Sequence, residues 1–281
     1  MFRYAPTPSG FLHIGNGVNF VLTYLWAQAL AAPILLRIDD LDADRKRPEY
    51  VDDVFFTLDW LGLRYDVGPT GPDDFERHWS QRHRLPLYRQ MLTRLVRRGV
   101  VYASDFSRQQ IRSLGEAEAI RLMRAQNLSL RTPDVPWRVR VPDHLPITDF
   151  VVRRRDGIPA YQVASLTDDC HFGVTHIVRG EDLRESTAIQ LFLGTLLNDD
   201  RFAQTTIWHH PLLTDSGGQK LSKSAGSTSL RALRESGNSP VFVYQTAARL
   251  LGFSPTNVYS LLDLQVLLAP VWASPELGAN S

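Results

Sequence analysis

Phe2-Arg3-Tyr4-Ala5-Pro6-Thr7-Pro8-Ser9-Gly10-Phe11-Leu12-His13-Ile14-Gly15-Asn16-Gly17-Val18 opens the chain and, read on to Ile34-Leu35-Leu36-Arg37-Ile38, decides the fold. Phe2 to Ala5 has the length and apolar character of a short strand. Pro6 to Gly17 is a loop rich in Pro and Gly. Val18 to Leu30 carries large apolar residues at helical spacing, and Ile34 to Ile38 is apolar throughout, a second strand. Strand, Gly-bearing turn, helix and strand make a βαβ unit, which requires a parallel sheet and a right-handed crossover. Tyr4 to Leu36 contains no Lys, Arg, Asp or Glu. Gln28 and Pro33 interrupt this run and no cationic cluster precedes it, so it reads as a buried helix and strand, not a signal or membrane anchor.

Outward from this unit, Pro48 suits the first turn of a helix running to Leu61, with Gly62 as its C-terminal cap. Another helix is expected from about Pro86 to Gly99. Val100 to Tyr102 reads as a strand and Ile111 to Gln126 as a helix, while Pro133, Pro142 and Pro146 break the surrounding chain. Thr175 to Val178 returns as an apolar strand, a helix follows from about Leu183 to Leu197, and Ile207 lies in the last strand. The tail after Pro240 reads as helical, with Ala273 to Ser281 frayed. No internal repeat is visible. The expected fold is α/β: a doubly wound parallel, Rossmann-like nucleotide-binding domain with an inserted subdomain and a short helical C-terminal part. Residues 1–76 and 148–224 form the nucleotide-binding domain, 77–147 the insertion and 225–281 the helical part.

Hydrophobic residues at 43% and charged residues at 22% exclude a disordered or low-complexity chain. One cysteine, Cys170, excludes a disulfide framework and a zinc site built from several thiolates. The net charge of +1 hides an asymmetry. Residues 38–76 hold 12 Asp and Glu against 4 Lys and Arg, whereas residues 77–140 hold 14 Arg against 4 acids. The second segment is suited to meet a polyanion, although solvated helix faces with internal ion pairs would give the same counts.

Two stretches carry chemistry. His13-Ile14-Gly15-Asn16 lies between the first strand and first helix, where a helix N-terminus presents open N–H groups and a positive dipole to an anion. Gly15 permits close approach of a ligand to the backbone, and His13 and Asn16 can donate to phosphate oxygens. Lys220-Leu221-Ser222-Lys223-Ser224 follows Ser216-Gly217-Gly218. Of 31 Lys and Arg only three are Lys (Lys46, Lys220 and Lys223), so two of the three fall in this stretch. Lys is a compact point charge on a flexible stem, suited to a charge developing on a transferring phosphoryl group.

The order and separation of the two stretches resemble the paired signatures of class I aminoacyl-tRNA synthetases. Arg3 to Gly10, Leu36-Arg37-Ile38-Asp39-Asp40-Leu41-Asp42, Ala160-Tyr161-Gln162 and Val174 to Leu183 resemble glutamyl-tRNA synthetases in particular. The likeness runs from about Phe2 to Gly252. The chain stops where an anticodon-binding part would begin, which is similar to the shortened branch of the family that attaches glutamate to queuosine of tRNA(Asp).

The resemblance implies a cytoplasmic ligase that uses ATP, Mg2+, glutamate and a tRNA acceptor, with no membrane association. His13, Gly15, Asn16, His209, Lys220 and Lys223 would hold ATP, and His13, Asn16, Lys220 and Lys223 would act in catalysis. Arg3, Ala5, Ser9, Asp39, Tyr161 and Arg179 would bind glutamate, with Arg179 reading its side-chain carboxylate. A bidentate Arg–carboxylate pair supplies both charge and geometry, which disfavours glutamine. Arg82, Arg84, Arg89, Arg94, Arg97 and Arg98 would contact tRNA phosphates, which position and do not specify. Blander readings stay open: Arg3 and Arg179 paired with the acidic turn, and Tyr161 a core aromatic.

Three departures from the family pattern stand out. Asn16 replaces a His and cannot carry charge. Asp39 stands where Glu is usual, one methylene shorter. Tyr102-Ala103-Ser104-Asp105-Phe106-Ser107-Arg108 replaces a thiol-bearing zinc segment, so no zinc is expected and packing around Phe106 would take its place. The alternatives to the queuosine acceptor are a minimal glutamyl-tRNA synthetase charging a tRNA 3′ end, and a non-catalytic tRNA-binding or regulatory paralogue.

Overall fold

The computed structural model describes residues 1–213 and 229–272. In chain order the elements are β1 (Phe2–Tyr4), α1 (Ile14–Ala29), β2 (Ile34–Leu36), α2 (Pro48–Trp60), α3 (Pro72–Asp74), α4 (Leu85–Arg97), β3 (Val101–Ala103), α5 (Arg108–Leu114), α6 (Glu116–Ala125), β4 (Trp137–Val139), β5 (Phe150–Arg153), α7 (Tyr161–His171), β6 (His176–Gly180), α8 (Arg184–Leu197), β7 (Thr206–His210), α9 (Leu230–Glu235), α10 (Val241–Leu250) and α11 (Leu261–Trp272). They form two compact units. The first comprises Met1–His83, Gly173–Arg184 and Thr205–Ser281, the second Arg84–Phe172 and Glu185–Gln204.

The first unit is built on parallel strands. β1 pairs with β2, Arg3 opposite Leu35, and β6 pairs with β7, Arg179 opposite His209. The Met1 carbonyl accepts from the backbone N–H groups of Thr175 (2.9 Å) and His176 (3.1 Å), joining the two ladders. Phe2, Tyr4, Ile34, Leu36 and Val178 are buried with Val18, Val21 and Leu25 of α1. Strands apolar on both faces are those a parallel sheet needs when helices cover it. Trp26 of α1 stacks on Trp208 of β7, ring centroids 4.2 Å apart. Val243, Ala247, Leu264 and Leu268 bring α10 and α11 onto the same core, so the C-terminal helices complete this unit. Gly62 takes φ +61° just beyond α2, the left-handed conformation its expected cap role needs.

The second unit carries a three-stranded antiparallel sheet, order β3-β4-β5. One long helix was expected over 111–126. The chain instead makes α5 and α6 with Gly115 between them at φ +78°, outside the range a continuing helix allows. Tyr102, Ala119 and Met123 form a small core with Phe106, Ile111 and Ile120 packed on it. Beside it lies a polar knot. The buried Asp149 carboxylate accepts from Tyr102 Oη (2.7 Å), Arg124 Nε (2.9 Å) and Nη2 (2.7 Å), and the Val141 N–H (2.8 Å). Burial alone would raise the Asp149 pKa, but these donors hold it below the ordinary carboxylate value. Apolar packing around Phe106 is therefore joined by an ionic anchor that composition did not reveal.

Candidate active site

The first signature forms the N-terminal cap of α1. His13 Nδ1 accepts from the Gly15 N–H at 3.1 Å, and Asn16 Oδ1 accepts from the His13 N–H at 3.0 Å. These reciprocal bonds hold both side chains against the turn. Because Nδ1 accepts, the ring proton sits on Nε2. A Cβ at Gly15 would lie 3.0 Å from His13 Cε1 and 3.1 Å from Nδ1, so a side chain there would require the capping imidazole to shift by a few tenths of an ångström. The first turn of α1 holds no acid, leaving the positive end of the helix dipole to an anion.

Asn19, one turn on, ties α1 to the sheet. Its Nδ2 donates to the Val178 carbonyl (3.1 Å) and to His210 Nε2 (3.2 Å). His210 Nδ1 donates to the Pro211 carbonyl at 2.8 Å, which leaves Nε2 as the acceptor Asn19 needs. Neither Asn19 nor His210 was singled out in the sequence. No periodic or motif signal marks them, since they pair across 191 positions.

Val178 leads into Arg179, which is buried (3% exposed) near the carboxyl end of β6, where open α/β sheets bind ligands. Burial lowers the pKa of its strand neighbour His209, and the cations Arg179 and Arg184 lower it further. Arg3 is a second buried cation, on β1. Ala5 and Ser9 are half-buried in the β1–α1 loop, whose Pro6 carbonyl accepts from the Asp39 N–H at 2.8 Å. Asp39 is held by Arg37, with Nε to Oδ1 at 2.7 Å and Nη2 to Oδ2 at 3.0 Å, and by Gln81 Nε2 at 3.3 Å. Asp40 accepts from Lys46 Nζ (3.1 Å) and Ser80 Oγ (2.7 Å). The structure thus brings Arg3, Ala5, Ser9, His13, Gly15, Asn16, Asp39, Arg179 and His209 into the first unit. Lys220 and Lys223 lie outside the described residues.

In the second unit Tyr161 opens α7 with 41% of its surface exposed, not packed as a core aromatic. Arg89, Arg94, Arg97 and Arg98 are exposed on or just beyond α4, though Arg94 donates to the Leu197 carbonyl at the end of α8. Arg84 does not fit the expected phosphate-contacting set. It is buried, and its Nε and Nη2 pair with Asp168 at 2.8 and 2.9 Å, with Tyr88 Oη on the same carboxylate at 2.8 Å. A guanidinium so enclosed anchors α4 to α7 and is not offered to a polyanion. Arg82 is exposed at the end of the first unit. Among the described residues no cluster of three or more His, Cys, Asp or Glu could hold a metal ion, and no helix is long and apolar enough to cross a membrane.

Comparison with known proteins gives this geometry a context. The family model described as tRNA synthetases class I (E and Q), catalytic domain, matches residues 1–131 and 115–270. A Glutamyl-Q tRNA(Asp) synthetase of Parasynechococcus marenigrum is 38% identical over 257 residues, covering 90% of this chain and 83% of that one. One of Pseudomonas putida is 39% identical over 249 residues, 82% of this chain and 79% of that one. Two solved structures share the fold. A glutamate tRNA ligase from Elizabethkingia meningosepticum matches with a TM-score of 0.66 at 21% identity over 88% of this chain. A glutamate-tRNA synthetase from Elizabethkingia anophelis matches with 0.70 at 22% identity over 94%. This chain spans only 60% and 64% of the lengths of those two proteins. With the α1 cap, the parallel strands and the matched family model in agreement, the chain belongs to the class I tRNA synthetases (E and Q), as their catalytic domain.

Proposed function

We propose that the protein activates glutamate with ATP to glutamyl-adenylate and transfers the glutamyl group to queuosine of tRNA(Asp). The observation that carries the reading is the α1 cap: His13 and Asn16 are locked at a helix N-terminus that Asn19 fixes to the strand bearing Arg179. The relatives named Glutamyl-Q tRNA(Asp) synthetase, similar over most of their length, support the choice of acceptor.

In this reading the His13 Nε2–H, the Asn16 amide and the first N–H groups of α1 bind the ATP phosphates, which arrive as the magnesium complex. Arg179 pairs with the glutamate side-chain carboxylate, while Arg3, Ala5, Ser9, Asp39 and Tyr161 keep the glutamate-binding roles the family pattern implies. The glutamate α-carboxylate oxygen attacks the α-phosphorus and pyrophosphate leaves. Lys220 and Lys223 supply positive charge to the phosphorus as it becomes five-coordinate. An acceptor hydroxyl then attacks the acyl carbon and AMP leaves. No side-chain nucleophile is required, and catalysis is positioning plus charge stabilisation. The exposed arginines of α4 hold RNA phosphates.

Glutamate-dependent ATP–pyrophosphate exchange, with and without tRNA, is the test. Exchange without tRNA, followed by glutamylation of queuosine-containing tRNA(Asp) but not of tRNA lacking queuosine, is the expected result. Exchange only with tRNA(Glu) would replace this reading by 3′-end charging. Folded protein with no exchange in either case would replace it by a binding paralogue.

A further inference from the structure

Leu12, the residue before His13, is gripped through both of its backbone groups. Its N–H donates to Asp53 Oδ2 of α2 at 3.0 Å, and its carbonyl accepts from the Leu230 N–H at the start of α9 at 2.8 Å. Asp53 is 1% exposed, and its other oxygen accepts from Arg234 Nη2 of α9 at 3.1 Å. Arg234 Nη1 reaches Thr57 Oγ1, one turn along α2, at 3.3 Å. The neighbouring Phe11 ring is held on two sides, by Tyr50 edge-on at 5.0 Å and by the Arg231 guanidinium at 4.5 Å. Leu230 also seats on the first turn of α1: a Cβ at Gly17 would lie 3.0 Å from its Cδ1. Two helices distant in sequence thus converge on the two residues that precede the α1 cap.

From this geometry we infer that Asp53 and Arg234 are positioning residues for the phosphate end of the ATP site, an inference that rests on the reading of His13 and Asn16 as phosphate ligands. The Leu12–His13 peptide sets the extended backbone of His13 (φ −111°, ψ 173°), and that backbone orients the ring whose Nδ1 caps Gly15. Asp53 fixes the peptide on the N-terminal side of Leu12, and Arg234 fixes Asp53 while α9 fixes the carbonyl. Release of either end lets the cap turn away from the position in which its donors converge on an anion. Arg179 is held on β6 by the β6–β7 pairing, so its contact with the glutamate side chain does not run through this clamp.

Asp53→Asn retains one acceptor for Leu12 but turns an N–H donor toward Arg234, replacing attraction by repulsion. Arg234→Met removes the cation from a side chain that is only partly buried, and it serves as the measurement if Asp53→Asn fails to fold. Arg234→Lys keeps the charge. ATP affinity is measured by calorimetry, and KM for ATP and for glutamate separately by pyrophosphate exchange. Loss of a charged partner is expected to weaken ATP binding about tenfold in Asp53→Asn and Arg234→Met, with glutamate KM within about twofold of wild type and Arg234→Lys restoring most of the affinity. A purely structural role would lower the active fraction and leave both KM values unchanged, and that result would overturn the inference. Wild-type affinity in both variants would overturn it too, with the phosphate reading intact. Wild-type protein that binds no ATP would overturn both.

Discussion

Asp149→Asn puts the ionic anchor of the second unit under direct test. Four donors converge on the carboxylate: Tyr102 Oη, Arg124 Nε, Arg124 Nη2 and the Val141 N–H, all within 2.9 Å. An asparagine offers one acceptor oxygen, so whichever way it turns, an N–H faces donors. If the oxygen keeps Val141 and Arg124 Nη2, Tyr102 and Arg124 Nε meet the amide. Removing one partner of a buried ion pair costs about 3–5 kcal/mol. Arg124 retains a quarter of its side-chain exposure and can lean on the exposed Asp143 at 3.4 Å, which places the cost at the low end, about 3 kcal/mol. Since about 1.4 kcal/mol corresponds to a factor of ten, amides of β4 and β5 should exchange with deuterium more than about 100-fold faster than in wild type, provided they exchange through opening of this unit. Amides of β1, β2 and α1 should be unaffected. The difference between variant and wild type should also depend on pH in one direction. Asp149 is held below its ordinary pKa, so its contribution is present above the unfolded value of about 3.9 and is lost as pH falls through the folded value beneath it. Hydrogen-exchange mass spectrometry at neutral pH and near pH 3 reads both effects. Exchange in β4 and β5 accelerated less than about tenfold at neutral pH would refute the claim that this carboxylate holds the unit together.

Arg84→Met should destabilise the second unit by about 3 kcal/mol in urea unfolding, because it strands the buried Asp168 carboxylate, and should leave the salt dependence of RNA binding unchanged. Replacing Arg89, Arg97 and Arg98 together by Gln should leave stability within about 1 kcal/mol of wild type and flatten the plot of log Kd against log salt by about one for each phosphate contact removed, read by fluorescence anisotropy. His209 should titrate below its ordinary value of about 6.5 in an NMR titration, and Arg179→Gln should move its midpoint upward, because a cation that disfavours the imidazolium is gone. The same Arg179→Gln variant should raise the glutamate KM in pyrophosphate exchange at least about tenfold while leaving the ATP KM within about twofold.

How much of this was legible depended on the range of the interaction. The βαβ opening could be read because its strands and helix are uninterrupted apolar segments, and burial between covering helices demands that composition whatever the rest of the chain does. The position of Arg179 near the end of a buried strand could be read because Thr175 to Val178 is an apolar run that this charge terminates. The break at Gly115 was not read, because the helical pattern continues on either side of it. β4 and β5 were missed because three- and four-residue strands between prolines are too short to display a period of two. Arg84 was grouped with the surface arginines because its partner lies 84 positions away, and Asp53 passed unnoticed because Arg234 is 181 positions away. Local pattern cannot report such pairings: a helix arginine looks the same in sequence whether solvent or a distant carboxylate receives it.

Cys170 is the chain's single thiol, and it is 8% exposed beside a pocket of about 190 Å³ lined also by Leu87, Met91, Thr167 and His171. Burial raises its pKa to about 11, so almost none of it is thiolate near neutrality. To an alkylating or disulfide-forming probe the wild-type protein is therefore nearly blank. A cysteine introduced anywhere on the surface becomes the one reactive address on the molecule, and two such cysteines can carry a donor and acceptor dye without any native thiol being removed. The distance between the capped end of α1 and the arginine face of α4 can then be followed through substrate binding in a protein otherwise identical to the native one.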